Sequence, residues 1–194
     1  MALTAAREIG EAEGLRGLTA RRIAGRIGYS VGTLYNLFED LDELILGLHV
    51  TTLDALHEAC ALAPRTGEPE ADLRALGRAY IGFTGEHPRL WNLLFEHRLP
   101  EGRPLPDWYQ EKVARLLVLV EASIAPLFPP GQEVERLHSA RVLWSSLHGM
   151  CSVASAGKLA DTESLAAMAD SLATTYVAGL RQRRLESNRG IEPR

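Results

Sequence analysis

Residues 19–38 read TARRIAGRIGYSVGTLYNLF. Apolar residues recur at helical spacing on both sides of Gly28-Tyr29-Ser30, and the interval is too short for two independent elements. Thr19 is suited to cap the first helix and Ser30 the second, each hydroxyl accepting a backbone N–H that the first turn leaves unpaired. Gly28 falls where the first helix must stop and the chain must turn sharply, through a left-handed backbone that glycine adopts at little cost. Ile23, Ala24 and Ile27 on one helix, with Leu34, Leu37 and Phe38 on the other, supply a small shared core. The stretch therefore predicts a helix-turn-helix whose helices each run about two turns. Such a unit holds its second helix clear of the domain, so that the N-terminal half fits a DNA major groove. Its outward face would carry Val31, Gly32, Thr33, Tyr35 and Asn36, which are short, polar or hydroxyl-bearing.

Working outward, the remaining punctuation is that of an all-α protein. Apolar residues recur at three and four, as in Leu41, Leu44, Ile45, Leu48 and in Leu73, Leu76, Tyr80, Phe83. Breaks are expected at Gly14, Gly28, Glu39-Asp40, Ala63–Pro69, His87-Pro88, Pro100–Pro106, Phe128–Gly131 and Gly157–Asp161, which leaves about nine helices. Residues 186–194 lack apolar periodicity and are expected to fray. At 194 residues, 46% of them apolar, the chain can bury one sizeable core or a small domain leaning on a larger one. No run of eighteen apolar residues and no basic, then apolar leader is visible, so a cytoplasmic protein without a membrane partner is expected. Cys60 and Cys151 each fall inside a helical pattern and read as small buried hydrophobes.

The pattern Thr19-x-x-x-Ile23-Ala24-x-x-x-Gly28-x-Ser30-x-Gly32-x-Leu34-Tyr35-x-x-Phe38, preceded by Ala5-Ala6 and Gly14-Leu15, resembles the DNA-binding domain of the TetR family of bacterial regulators. Further on, Trp144-Ser-Ser-Leu-His148-Gly149 is similar to the Trp-His-Gly region of one C-terminal subtype of that family. The resemblance implies an N-terminal three-helix DNA-binding domain over 1–46 and a helical ligand-binding and dimerisation domain over 47–185, ahead of the flexible tail expected over 186–194. It also implies that Tyr35 bonds a backbone phosphate, that Thr33 meets a base edge or phosphate, and that Arg21 reaches the groove edge. Thr19 and Ser30 would be caps that also meet phosphate. The chain departs from the family pattern at Leu37, where a histidine is usual, and at Leu41, where a lysine is frequent.

Charge bears on this reading. The whole chain carries a net −4, and its first fifty residues hold five arginines against seven acids. Arg21, Arg22 and Arg26 nonetheless fall together on one helix; Arg21 and Arg22 are the expected DNA contacts, and a solvated face is the plain alternative. With few phosphate contacts per subunit, the salt dependence of DNA binding should be shallow unless two subunits add theirs.

In the C-terminal half, the segment from about Val134 to Ala156 presents two opposed faces. One holds Trp144, His148, Cys151 and Ser155; the other holds Val142, Ser146, Gly149 and Val153. The latter, with a stripe of Ala166, Ala169, Ala173 and Val177 on the last helix, is expected to form a four-helix homodimer interface; ordinary packing within the chain is the alternative. The former points toward Tyr80, Phe83, Trp91, Phe95 and Trp108, a set that would line a cavity for a small hydrophobic ligand or simply make core. His148 is the polar group best placed to orient such a ligand, and a hydrogen-bonded core histidine is the equal reading.

Enzyme chemistry finds no support. His49 and His57 lack a third ligand at metal-site spacing, and neither a phosphate loop nor a nucleophile elbow occurs. No catalytic residue, metal or cofactor is expected. The sequence thus points to a ligand-responsive repressor binding double-stranded DNA as a homodimer. The competing expectation, suggested by Leu37, Leu41 and the acidic N-terminal domain, is a dimeric ligand-binding or protein-interaction module that has lost DNA binding.

Overall fold

The computed structural model describes residues 1–159 and 164–189. Among these the chain forms nine α-helices: α1 (Ala2–Glu13), α2 (Ala20–Ile27), α3 (Val31–Tyr35), α4 (Leu41–Ala61), α5 (Pro69–Glu86), α6 (Pro88–Glu96), α7 (Asp107–Ile124), α8 (Glu133–Ser155) and α9 (Leu165–Arg189). Two 3-10 turns, Leu15–Gly17 and Ala125–Leu127, complete the regular structure, and the described residues contain no strand. The helix ends fall at the expected Gly, Pro and acidic breaks. The expected non-helical tail from Glu186 meets a helix that continues to Arg189, while 190–194 and part of the Gly157–Asp161 break lie outside the described residues.

The chain divides into two compact units, Met1–Leu56 with Phe83–Val113, and His57–Gly82 with the described part of Ala114–Arg194. The division falls within α4, α5 and α7. In the first unit, Ala6 and Ile9 of α1, Ile23 and Ala24 of α2, Leu34 of α3 and Leu44 and Leu48 of α4 share a core with Leu90 and Leu93 of α6. α6 thus belongs with the N-terminal helices, an association that the sequence did not indicate. Gly10 of α1 lets the helices close up, since a Cβ there would stand 3.0 Å from Leu93 Cδ1. The Arg89 guanidinium at the start of α6 donates to the carbonyls of Glu11 and Ala12, satisfying acceptors that the end of α1 leaves open.

Local capping explains why α4 starts where it does. Asp40 Oδ1 accepts from the Glu43 N–H at 2.8 Å, and the Glu43 carboxylate reaches back to the Glu39 N–H at 2.5 Å, a reciprocal arrangement that occupies two otherwise open donors. In the second unit, α8 and α9 pack against each other. The buried Asp72 ties down the loop before α5 by accepting from the Thr66 N–H and hydroxyl and the Gly67 N–H, at 2.6, 2.8 and 3.2 Å. Burial pushes its carboxyl up, but those donors outweigh it and leave it below the usual range.

Candidate nucleic-acid interface and ligand cavity

The glycine-hinged helix pair forms as its chemistry requires. Thr19 Oγ1 accepts the Arg22 N–H at 3.3 Å, and Ser30 Oγ accepts the Thr33 N–H at 3.1 Å. Gly28 takes the left-handed conformation, φ 77° and ψ 24°, while the Tyr29 N–H donates to the Ala24 carbonyl at 2.9 Å and closes the end of α2. α3 is shorter than two turns, at Val31–Tyr35, although the Phe38 N–H still bonds the Leu34 carbonyl. That bond puts Phe38 beneath Leu34, on the inward face. Leu37, expected in the shared core, is instead 68% exposed, because Leu34 and Phe38 fill the inner positions one turn apart.

Outside lie the residues expected to meet DNA. Gly32, Tyr35 and Asn36 are exposed and Thr33 half-buried, whereas Val31, expected outward, packs partly against the core because it stands near the inward side that the fully buried Leu34 defines. The Thr33 hydroxyl also pairs with Ser30 Oγ at 3.0 Å. On α2, Arg21 is exposed and no described residue pairs with it. Its neighbours differ: Arg22 forms a two-pronged ion pair with Glu13, and Arg26 binds Glu8 at 2.7 and 3.1 Å, both acids projecting from α1. Hydrogen bonding from Arg22 holds the Glu13 carboxyl below its usual range. Sequence spacing brought the three arginines to one helix; it did not reveal that α1 offers two of them a partner.

Behind α3, the start of α4 is tied to the segment between α6 and α7. His97 Nε2 lies 2.9 Å from Asp42 Oδ1, and Arg103 pairs with Asp40. His49, 2% exposed, stands edge-on to His97 and Tyr109 with ring centroids 5.2 and 6.1 Å apart. These pairings join residues 48 to 63 positions apart, which no local pattern signals.

In the second unit a cavity of about 50 Å³ is lined by Cys60 of α4, Leu73, Leu76, Gly77 and Tyr80 of α5, Leu116, Leu119 and Val120 of α7, Leu143, Trp144 and Leu147 of α8, and Ala169, Leu172 and Ala173 of α9. Burial raises the Cys60 thiol to about 12, so it stays protonated and inert. Of the residues expected around a ligand, Tyr80 and Trp144 line this space. His148 adjoins it, its Nδ1 3.1 Å from the Tyr80 hydroxyl and its ring stacked on Trp144 at 5.4 Å. Desolvation lowers the His148 pKa, favouring the neutral ring. The buried Trp144 Nε1–H has no hydrogen-bond partner among the described residues. Cys151 is buried in the same unit without lining the cavity, whereas Phe83, Trp91, Phe95 and Trp108 belong to the first unit, where Phe95 and Trp108 are 43 and 42% exposed.

The two stripes expected at a dimer interface are placed differently. On α8, Gly149 and Val153 are exposed and Val142 and Ser146 half-buried. On α9, Ala166 is half-buried but Ala169, Ala173 and Val177 are 8, 4 and 0% exposed, and the first two line the cavity, so this stripe faces the chain's own interior. The small residues that α9 turns outward include Ala167, Ser171, Thr175 and Ala178, one or two positions on from that stripe. Among the described residues no cluster of three His, Cys, Asp or Glu could hold a metal ion, and no helix is long and apolar enough to cross a membrane.

Two family models match the chain: the bacterial regulatory proteins of the tetR family over residues 2–48, and the tetracyclin repressor-like C-terminal domain over residues 73–176. No curated protein matches it in sequence. Among solved structures, a protein with unknown function from Rhodococcus sp. RHA1 is similar at 23% identity and a TM-score of 0.71, covering 93% of each chain. A TetR-like transcriptional regulator from the same organism has 21% identity and a TM-score of 0.63, with 92% of this chain and 94% of that one covered. A tetR-family transcriptional regulator from Streptomyces coelicolor has 15% identity and a TM-score of 0.65, covering 95% and 86%. These likenesses show the fold; the matched sequence models extend over both halves of the molecule. The chain belongs to the TetR family, whose members are DNA-binding transcriptional regulators rather than enzymes.

Proposed function

We propose that this regulator is a cytoplasmic, homodimeric repressor, with residues 1–46 reading double-stranded DNA, residues 47–185 binding ligand and partner, and a small hydrophobic molecule releasing it from its operator. The observation that carries the proposal is the orientation of α3: Leu34 is buried behind it while Gly32, Tyr35 and Asn36 project outward, as groove insertion requires. Tyr35 then bonds a phosphate, Thr33 a base edge or phosphate, and Arg21 the groove edge. Two subunits joined through Val142, Ser146, Gly149 and Val153 of α8 and the outward residues of α9 present two such helices about 34–36 Å apart, one turn of duplex. The ligand occupies an expanded form of the cavity beside Trp144 and Tyr80, its acceptor satisfying the Trp144 indole N–H. By favouring one of two states in which α4 differs in position, it changes the spacing of the recognition helices, with a coupling equal to the difference in ligand affinity between those states.

The test is a mobility shift on the duplex flanking the chain's own gene. Tyr35→Phe and Arg21→Ala should each weaken binding by about tenfold, the scale of one hydrogen bond to a charged group. Undiminished binding in both variants would remove these residues from the interface. The engagement of Arg22 and Arg26 by acids favours a second reading, a dimeric ligand-binding or protein-interaction module without DNA affinity. Complete absence of binding to random duplex at low salt would establish that one.

A further inference from the structure

The outward face of α3 has an unusual inventory for a base reader. Guanine is most often read by an arginine or lysine that bridges its O6 and N7, yet residues 30–38 contain neither. The side chain there that can make a two-pronged base contact is the exposed amide of Asn36, which matches the N6 donor and N7 acceptor of adenine. One helical turn before it, on the same face, is Gly32. Its backbone is helical and without positive φ, so no left-handed conformation demands glycine. Nor does packing: a Cβ added there would meet nothing nearer than Ser30 Oγ at 3.7 Å, ordinary contact. Inside the fold this glycine only weakens an already short helix. The missing side chain leaves a notch on the outward side, beside Val31, which packs partly against the domain core and leaves only part of its aliphatic side chain at the surface.

Resting on the DNA-binding reading above, we propose that α3 reads A·T pairs, seating a thymine C5-methyl in the notch at Gly32 against Val31 while Asn36 takes an adenine one turn on. A thymine methyl is the one apolar group in the major groove, and a bare backbone position beside an aliphatic side chain is its complement.

The probe is duplex DNA selected by the full-length protein from a randomised pool, then resynthesised with uracil in place of thymine. The selected half-sites should carry A·T pairs at the positions that α3 protects. Uracil should weaken the wild type about fourfold per methyl removed. Gly32→Ala should raise the thermal midpoint by roughly 2–4 °C yet bind the thymine duplex less well, and should regain affinity on the uracil duplex, where the missing methyl makes room for the added one. Asn36→Ala should lose about tenfold of the preference for adenine over other bases at one position. Selected sites that need guanine under α3, or a Gly32→Ala protein that binds the thymine duplex like the wild type, would overturn the proposal while leaving DNA binding intact. A folded wild-type dimer that retains no duplex from the pool would overturn both readings.

Discussion

His49 shows how one side chain registers the closing of a core. Its ring is buried between His97 and Tyr109, and desolvation first, then the nearby His97, lower its pKa from 6.5 to about 4. Above pH 6.5 the ring is neutral in both folded and unfolded chains, so stability is not affected by it. As pH falls from 6.5 toward 4, the unfolded chain takes up a proton that the folded chain refuses, and stability drops. Between pH 7 and pH 5 this amounts to about 2 kcal/mol. Urea denaturation at those two pH values should therefore show a lower midpoint at pH 5, and His49→Phe should flatten the difference; an equal difference in the variant would refute the assignment. From sequence, His49 was weighed only as a metal ligand; the apolar spacing of Leu41, Leu44, Ile45 and Leu48 around it was legible. The partnership of His97 with Asp42 was not, since it depends on where a distant loop returns.

At the scale of elements, caps and hinges were the most readable part of the sequence. Thr19, Gly28 and Ser30 act on backbone groups within a few residues of themselves, so local chemistry decides their roles. Leu37 was misplaced for the opposite reason: on a helix as short as α3, the inward position passes to Phe38. The stripe of α9 assigned to a partner faces the chain's own interior instead, because alanine alone does not say which side it faces. Equally hidden was the use of α1 as a source of counter-charges. Glu13 and Glu8 hold Arg22 and Arg26 in ion pairs that are about half exposed, so a phosphate can compete for them only by displacing a carboxylate. Glu13→Gln should accordingly strengthen DNA binding several-fold at low salt and steepen the dependence of affinity on salt by about one released ion per subunit, while barely altering thermal stability. Weaker binding in that variant would mean that Glu13 instead positions Arg22 for contact.

At the scale of the molecule, the proposed homodimer would let an acidic protein reach useful affinity by presenting its recognition helix twice. Val153, 43% exposed on α8, lies on the face assigned to the partner subunit. Val153→Glu should convert the dimer to monomers in sedimentation velocity and lower affinity for a two-half-site duplex by about a hundredfold or more, with little loss on a single half-site. A variant that stays dimeric would move the interface elsewhere. The cavity in the second unit has a different bearing on the whole. Its roughly 50 Å³ contrasts with the about 300–1,000 Å³ typical of sites for drug-sized molecules. If the effector proposed above lodges there, it must act as a wedge, forcing α5, α7, α8 and α9 apart against their own cohesion. Bulk and stiffness, more than any polar handle, then govern potency, and the same collapse that keeps the resting bundle shut sets the threshold below which a compact metabolite passes unnoticed.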